Sequence, residues 1–387
     1  MPSSVVTPLK STIEKLGAPL RIKRVEAIPV ALPLHKPMLM AGVRIEFAEN
    51  LLVRIEAENG LVGWGEAASA PTMTGDLQAG MVAAVDQYLA PLLVGADALQ
   101  HALLAKRCAA ALHGNGGAKA AVDIALLDLV GRHTGLPICD LLGGAVRSAV
   151  KPMWLLGNKT VGEDIIEAKQ KRDAGFDFFK IKIGVKAVDD EIAKTLEIRR
   201  ELGPETTLCA DANMGYSKSA ARQYLAETVE AGLLFVEQPI PYEDIEGMAM
   251  LARSSATPLC ADEAIGAIKD IYAYHRAGAA AGINLKTIKI GGLSAAVHAA
   301  QVCESLGLAI NLACKVAESS IGGAAIVQLG AVVGNLDWGI SVTNGYLAID
   351  TAKEPIRVQR GQIEVSRAPG LGIEVDEAEI ARVRVKL

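Results

Sequence analysis

The order of hydrophobic and polar positions divides the chain into two regions with different patterns. Residues 20–67 are rich in β-type runs, and two of these runs flank Asn59-Gly60, the strongest short hairpin signal. Residues 78–95 and 117–135 instead carry apolar side chains at helical spacing. Strands followed by helices, before any alternation begins, predict an α+β unit of its own.

From about residue 149, short β-rich runs alternate with helical stretches of about ten residues or more, the pattern of repeated βα units. Eight such runs occur, at 150–157, 178–184, 207–213, 233–239, 258–264, 283–292, 308–314 and 335–342. Eight parallel strands close a barrel. The pattern therefore predicts an α/β fold, a (β/α)8-type barrel preceded by the α+β unit.

The length of 387 residues suits one large domain and a smaller one. We expect an α+β domain at residues 1–147 and a barrel domain that carries the active site at residues 148–345. Residues 346–387 are predicted to form short strands and a terminal helix that pack back on the α+β domain and complete it.

Composition and charge exclude several classes of function. A net charge of −5 provides no basic field for nucleic acid, so a small molecule is the expected partner. The sequence has neither a signal-peptide pattern nor about 18 consecutive apolar residues, which predicts a cytoplasmic protein without a membrane partner. Its six cysteines include no C-x-x-C pair and are predicted to be small buried apolar residues.

Charged residues recur once per βα unit at the predicted strand ends. Asp211, Glu237, Asp262 and Lys286 follow one another at intervals of 26, 25 and 24 residues. Side chains at equivalent positions converge above a barrel, where three carboxylates repel unless a cation joins them. A single carboxylate would be better explained as a helix cap or a surface charge, but the repeat favours a site for Mg²⁺ or Mn²⁺.

Three polar neighbours could support such a site. Asn213 and Gln238 place amides beside two of the predicted ligands, where they could orient them. Glu263 could play the same part or bind the metal directly.

The stretch FFKIKIG, residues 178–184, places two lysines in a predicted buried strand. Lys180 and Lys182 share one face, because side chains alternate along a strand, and the barrel mouth is where that face can carry charge. Lys286, about half the ring away, would face them. A lysine base must be neutral, which requires its pKa to fall by roughly 3 units, or about 4 kcal/mol. Lys180 and a divalent cation would favour neutral Lys182.

At these residues the chain resembles the enolase superfamily, and within it the muconate lactonizing enzyme subgroup of the mandelate racemase/muconate lactonizing enzyme family. The resemblance spans nearly the whole chain, and residues 120–132 are similar to the capping domain. The matching positions are the K-x-K motif at Lys180 and Lys182, the metal ligands Asp211, Glu237 and Asp262, and the K-x-x-K-x-G-G motif at Lys286, Lys289, Gly291 and Gly292.

The resemblance implies that Mg²⁺ binds a substrate carboxylate while a lysine removes the α-proton and the metal stabilises the enediolate. Lys182 and Lys286 would stand on opposite faces of the substrate, and Lys289 would be structural or electrostatic. Glu318 matches a glutamate that contacts the intermediate, with a solvated loop charge as the alternative. A homo-oligomer is also implied.

Two departures narrow the comparison within the superfamily. The last histidine is His298, so strand seven lacks the histidine base of the mandelate racemase subgroup. Residues 340–347 lack the Asp-x-Asp of dipeptide epimerases, which argues against a dipeptide ammonium. The substrate-covering loops would correspond to residues 35–50 and 70–78, whose methionines and Phe47 indicate either a partly apolar substrate or packing between domains.

These observations predict a Mg²⁺-dependent isomerase acting on a small carboxylate, either a racemase or epimerase that uses both lysines, or a muconate-type cycloisomerase. A dehydratase that uses the same site for β-elimination is the first alternative. A Schiff-base aldolase is an alternative from another class, but it does not explain the three carboxylates.

Overall fold

The capping region begins with an antiparallel sheet. The computed structural model describes residues 18–40, 43–157 and 160–387. Strands β1 (Ile22–Met40), β2 (Val43–Ala57) and β3 (Val62–Ala68) pair in the order β1-β2-β3. Gly60 has a φ of +83°, the left-handed conformation that glycine adopts most readily, and Asn59 accepts a hydrogen bond from the Leu61 amide. The predicted hairpin at Asn59-Gly60 is confirmed.

Helices follow the sheet, as the apolar spacing predicts. They are α1 (Gln78–Ala84), continued by a π-helical turn (Val85–Leu89) and α2 (Ala90–Leu93), then a 3-10 turn (Ala98–Gln100), α3 (His101–Ala111), α4 (Gly116–Thr134) and α5 (Ile138–Leu141). Helix α4 is buried along most of its length and ends at Gly135 in the left-handed conformation.

Two glycines in β3 bring α4 against the sheet. A side chain at Gly65 would overlap the Ala121 carbonyl oxygen and lie within 2.7 Å of the Ala125 nitrogen, and Gly63 meets the backbone of α4 in the same way. The close approach buries apolar residues of α4 against β2 and β3. Apolar burial of this kind is the main favourable term in folding.

The barrel contains all eight predicted strands. A two-residue strand β4 (Ala149–Val150) precedes the barrel. The first predicted run, residues 150–157, therefore begins in β4 and not in the first barrel strand. The barrel strands are β5 (Trp154–Leu156), β6 (Phe178–Lys182), β7 (Thr207–Asp211), β8 (Val236–Glu237), β9 (Leu259–Ala261), β10 (Gly282–Leu285), β11 (Ala309–Ala313) and β12 (Ile340–Ser341). They pair parallel in chain order, and a bridge between Pro152 and Ile340 closes the ring.

Helices surround the barrel and apolar side chains fill it. The helices are α6 (Val161–Asp173), α7 (Val188–Leu202), α8 (Lys218–Glu227), a 3-10 turn (Val229–Ala231), α9 (Ile245–Ser254), α10 (Ile268–Ala277), α11 (Thr287–Ile290), α12 (Leu293–Ser305) and α13 (Ser320–Val332). A separate apolar cluster includes Phe178, Phe235 and Trp338. Phe178 shares the inward face of β6 with Lys180 and Lys182, so this cluster forms the floor beneath the lysines.

The C-terminal segment returns to the capping sheet. After a 3-10 turn (Asn344–Tyr346), β13 (Ile363–Glu364) pairs with β4, and α14 (Glu377–Val383) follows. The amides of Ala348 and Val385 donate to the carbonyls of Pro33 and Pro29 on β1, at 2.8 and 3.0 Å. These two hydrogen bonds join the C-terminal segment to β1.

Two further findings concern the cysteines and membrane-spanning helices. All six cysteines are buried and free, as predicted. Across the described parts of the chain, no helix is both long enough and apolar enough to span a membrane.

We expect Gly65→Ala to lower the melting temperature, because the added methyl group would force β3 and α4 apart; overpacking of this kind typically costs about 1–3 kcal/mol. Gly80→Ala is the matched control, since Gly80 lies in α1 with nothing within 4 Å of the added carbon. That variant should be neutral or more stable by up to about 1 kcal/mol. Thermal unfolding followed by circular dichroism measures both, and equal melting temperatures would contradict this account of the interface.

Candidate active site

The predicted site residues meet at the carboxyl end of the barrel because the strands are in register. Lys182 lies beside Asp211, and Asp211 lies beside Glu237, as neighbouring positions on β6, β7 and β8. Asp262 directly follows β9, and Lys286 directly follows β10. Parallel strands present these positions at one edge, which is where barrel enzymes place their reactive groups.

Three lysines pair with the three carboxylates. The Nζ atom of Lys180 lies 2.5 Å from Glu237 Oε2, and that of Lys182 lies 2.6 Å from Asp211 Oδ2. Lys286 donates to Asp262 Oδ2. The side chain of Lys182 is 11% exposed and the other partners are more deeply buried. Each buried charge is thus compensated by an opposite charge.

A second layer holds two of these carboxylates. Lys289 donates to Asp262 Oδ1 at 2.7 Å and to the Asn284 carbonyl at 2.8 Å, and it is itself buried. Asn284 donates to Glu237 Oε1 at 2.7 Å. Lys289 is thus bound to a predicted metal ligand and to the backbone of β10, and its structural or electrostatic role stays a prediction. Asn284 was not predicted, because a neutral side chain inside a strand carries no distinctive signal.

The charges shift one another's pKa values. Burial lowers the pKa of Lys180, but Glu237 and Asp211 raise it, and the net shift is upward. Burial raises the pKa of Asp262, but Lys286 and Lys289 lower it by more, so the net shift is downward and the carboxyl stays ionised. Burial and then the nearby Asp211 raise the pKa of Glu237. The carboxylates, rather than the neighbouring lysine, thus dominate the environment of Lys180.

The donor chemistry fits a hard divalent cation, since three carboxylates surround a water-sized space of about 30 Å³ at the barrel mouth. In residues 18–40, 43–157 and 160–387, however, no group of three or more His, Cys, Asp or Glu side chains is arranged to hold a metal ion as it stands. Each predicted ligand directs an oxygen at an ammonium group instead. Metal binding would therefore require the lysines to release these oxygens.

The three supporting residues occupy different positions. Asn213 accepts from Lys182 Nζ at 2.7 Å and donates to Glu263 Oε1 at 3.0 Å, so it links the lysine to that acid. Burial, then Asp262 and Asp211, raises the pKa of Glu263 to about 7. Gln238 accepts from the Asp262 amide at 3.0 Å and fixes the backbone after β9.

Glu318 is buried between the barrel and the capping sheet, so the alternative of a solvated loop charge is wrong. Its oxygens accept from the amides of Ala68 in β3 and Lys315 after β11, both at 3.3 Å. Burial, and then the neighbouring Glu66, raises the pKa of Glu318 to about 8. This side chain joins the loop after β11 to the cap.

Glu191 was also missed by sequence reasoning. It accepts from the amides of Gly184, Val185 and Lys186 at 2.8–3.0 Å, and from the Tyr216 hydroxyl. The turn directly after Lys182 is therefore fixed by one buried carboxylate. An acidic residue in the first turn of the predicted helix was the available signal, but it is also typical of ordinary helix termini.

Two cavities flank the barrel mouth beneath the cap. One, of about 500 Å³, is lined by Phe47 and Met73 from the cap and by Glu263 and Lys315 from the barrel. The other, of about 490 Å³, lies on the Lys182 side. Lys315, which lines both the first cavity and the water-sized space, was not predicted.

Residues 35–50 were expected to be a loop, and this is wrong for the part described. They continue β1 and β2 as a ladder in which Met38 pairs with Ile45 and Leu39 with Arg44. Residues 41 and 42 lie outside the described residues. Two extended strands pair their backbone hydrogen-bonding groups with each other, which favours this ladder over an irregular covering loop.

Family descriptions match most of the chain. Residues 22–143 match the mandelate racemase / muconate lactonizing enzyme N-terminal domain, and residues 164–379 match the enolase C-terminal domain-like description.

Individual relatives are similar over nearly their full length. The chain is 32% identical to muconate cycloisomerase 1 of Pseudomonas putida, covering 93% of this chain and 98% of that protein. It is 29% identical to a chloromuconate cycloisomerase of Cupriavidus pinatubonensis, with the same coverage. A crystal structure of the muconate lactonizing enzyme from Pseudomonas fluorescens, complexed with muconolactone, matches with a TM-score of 0.92 at 30% identity, covering 95% of this chain and all of that one.

We expect Glu318→Gln to flatten the decline of stability with rising pH. Because the folded state raises the Glu318 pKa from 4.5 to about 8, the folded protein keeps a proton that the unfolded chain loses. Stability should therefore fall between about pH 4.5 and 8, by up to about 1.4 kcal/mol per pH unit, and this contribution levels off above pH 8. Melting temperatures at pH 5–8 measure the slope.

The exposed Glu364→Gln is the control and should keep the wild-type slope. An unchanged slope in Glu318→Gln would show that Glu318 does not hold this proton.

Proposed function

The chain belongs to the mandelate racemase/muconate lactonizing enzyme family of the enolase superfamily and is an isomerase, and on that premise we propose that it adds a proton to, or removes one from, the α-carbon of a substrate carboxylate. We propose a muconate-type cycloisomerisation as its reaction, because the similar proteins include muconate and chloromuconate cycloisomerases. The substrate would be a small carboxylate.

The observation that carries this proposal is the placement of two lysines across one ring. Lys182 ends β6 and Lys286 follows β10, four strands away in a ring of eight. Between them, Asp211 and Glu237 end β7 and β8, and Asp262 directly follows β9. A substrate carbon held above this cluster would be accessible to a lysine on either face.

We propose that Asp211, Glu237 and Asp262 hold Mg²⁺, or Mn²⁺ in its place. When bound, the cation would supply positive charge against the negative charge that develops on the substrate carboxylate during proton transfer. Burial, and then the nearby Asp211, raises the pKa of Glu237, and a cation at the centre of the cluster would offset both effects. Asn284 and Lys289 would keep two of the ligands in place.

In the proposed cycloisomerisation, one substrate carboxylate oxygen forms a bond to a carbon of the conjugated double bonds. The displaced electron pair moves toward the carbon α to the other carboxylate, and a lysine ammonium gives its proton to that carbon. The reverse reaction returns the proton to the lysine, so no atom is lost. Lys182 is the proposed proton carrier, with Lys180 beside it and Lys286 on the opposite face.

A racemase or epimerase would use both lysines in succession, one to remove the α-proton and the other to return it on the opposite face. The site geometry accommodates this reaction too, and stereochemical analysis of the product distinguishes it. Homo-oligomerisation also stays a prediction, which light scattering can measure.

We expect Lys182→Ala and Lys286→Ala each to change proton transfer. With cis,cis-muconate and Mg²⁺, Lys182→Ala should lower kcat by at least about 100-fold, the usual contribution of a positioned acid or base. In a racemisation, each variant should lose exchange of the α-proton on one face only. Ultraviolet absorbance follows loss of the diene, and proton NMR in D₂O follows exchange.

The control is Lys186→Ala, an exposed lysine at the same end of the barrel. Full activity in Lys182→Ala would rule out its role as proton carrier. Formation of a 2-oxo acid from a hydroxy acid would instead identify the dehydratase reaction.

We expect chelation with EDTA to abolish activity and added Mg²⁺ to restore it. Glu237→Gln should weaken Mg²⁺ binding by at least about tenfold, because it removes one charged oxygen ligand. Calorimetric titration with Mg²⁺ measures binding independently of turnover, and the exposed Asp189→Asn is the control. Activity that is insensitive to EDTA would refute the metal proposal and favour a Schiff-base mechanism, which borohydride trapping detects.

A further inference from the structure

Among the described residues, Lys315 is a lysine at the barrel mouth without a carboxylate partner. Lys180, Lys182, Lys286 and Lys289 each form an ion pair. Within the described part of the chain, the Lys315 ammonium group donates a hydrogen bond to the Val316 carbonyl at 3.5 Å, the outer limit of a hydrogen bond. A charged group in a partly buried position normally has a stronger partner.

The nearest acid along the chain does not compensate this charge. Glu318 directs its oxygens at the backbone amides of Ala68 and Lys315, and its raised pKa of about 8 keeps it largely protonated at neutral pH. Burial, then the positive charges of Lys286 and Lys182, lowers the pKa of Lys315 to about 8. Lys315 therefore lies near two lysines that have carboxylate partners, while it has no such partner itself among the described residues.

The position of Lys315 connects the reaction centre to a larger space. It lines the water-sized space among the carboxylates and lysines, and it also lines the cavity of about 500 Å³ beneath the cap. Arg44, another cation of that cavity, already pairs with Glu46 at 2.9 Å. A ligand anchored at the carboxylate cluster and extending into this cavity would pass Lys315.

We propose that Lys315 binds a second anionic group of the substrate and so selects dianions over monoanions. The first carboxylate of the substrate would lie at the Asp211–Glu237–Asp262 cluster, and the second would pair with Lys315 near the apolar surface of Phe47 and Met73. The assignment of the first carboxylate rests on the proposed function. A six-carbon dicarboxylate of the muconate type has the two charges that this arrangement requires.

Glu263 lines the same cavity and would favour a cationic group instead. Its Oε1 already accepts from Asn213 at 3.0 Å. Lys315 lacks a comparable polar side-chain partner in the described residues. Glu263 thus keeps a side-chain partner on one of its oxygens while Lys315 has none in the part of the chain that the structure describes, and this favours an anion beside Lys315.

Binding of unreactive ligands tests the inference separately from turnover. Adipate has six carbons and two carboxylates but no double bond, and its monomethyl ester has one carboxylate. Calorimetry with Mg²⁺ present should show that Lys315→Met weakens adipate binding about tenfold to a hundredfold, the usual range for a hydrogen bond to a charged group. Binding of the monomethyl ester should change by less than about twofold, well below that range.

Two further variants test whether the charge of Lys315 itself causes the preference for adipate. Lys315→Arg should keep the preference for adipate because it keeps the charge, and Lys186→Met, which removes an exposed charge at the same end of the barrel, should leave it unchanged. Lys315→Met should melt no lower than the wild type, since it removes a cation without a carboxylate partner.

Equal weakening of both ligands, or no weakening of adipate, would overturn the role of Lys315. A wild-type protein that binds both ligands equally would do the same. If Lys315 selects adipate while the muconate and proton-exchange assays fail, the dianion site stands and the proposed reaction falls.

Discussion

The buried ion pairs at the barrel mouth are the constraint on which the rest of the structure depends. Removing an ammonium or carboxylate group from water without a partner costs several kcal/mol, so these lysines and carboxylates are buried as ion pairs. The parallel register of β6 to β8 meets this requirement by aligning Lys182, Asp211 and Glu237. The fold is thus the means by which charges separated along the chain become neighbours.

The surrounding structure holds these charges in place from several sides. The floor around Phe178 and Phe235 excludes water from below. Glu191 fixes the turn after Lys182, and Gln238 fixes the backbone at Asp262. From above, Glu318 ties the loop after β11 to the capping sheet. A site supported in this way is preorganised, which is what electrostatic catalysis requires.

The sequence predicted the parts of this arrangement that repeat. Eight β-rich runs and the regular spacing of Asp211, Glu237 and Asp262 indicated the barrel and its mouth, and strand alternation placed Lys180 and Lys182 on one face. Contacts that do not repeat along the chain could not be predicted from the sequence pattern. Asn284 and Lys315 reach their positions only when strands distant in the sequence pack together. The signal for Glu191 is typical of ordinary helix termini, and the ladder at residues 35–50 depends on pairing between β1 and β2.

The central claim is that the carboxylates exchange their lysine partners for a cation and thereby free the lysines to address a substrate. A crystal structure with Mg²⁺ and a bound lactone or dicarboxylate tests this most directly. We predict Mg²⁺ bound by Asp211, Glu237 and Asp262, with the Nζ atoms of Lys182 and Lys286 on opposite faces of the α-carbon. Retention of all three lysine–carboxylate pairs, with the ligand bound elsewhere, would contradict it.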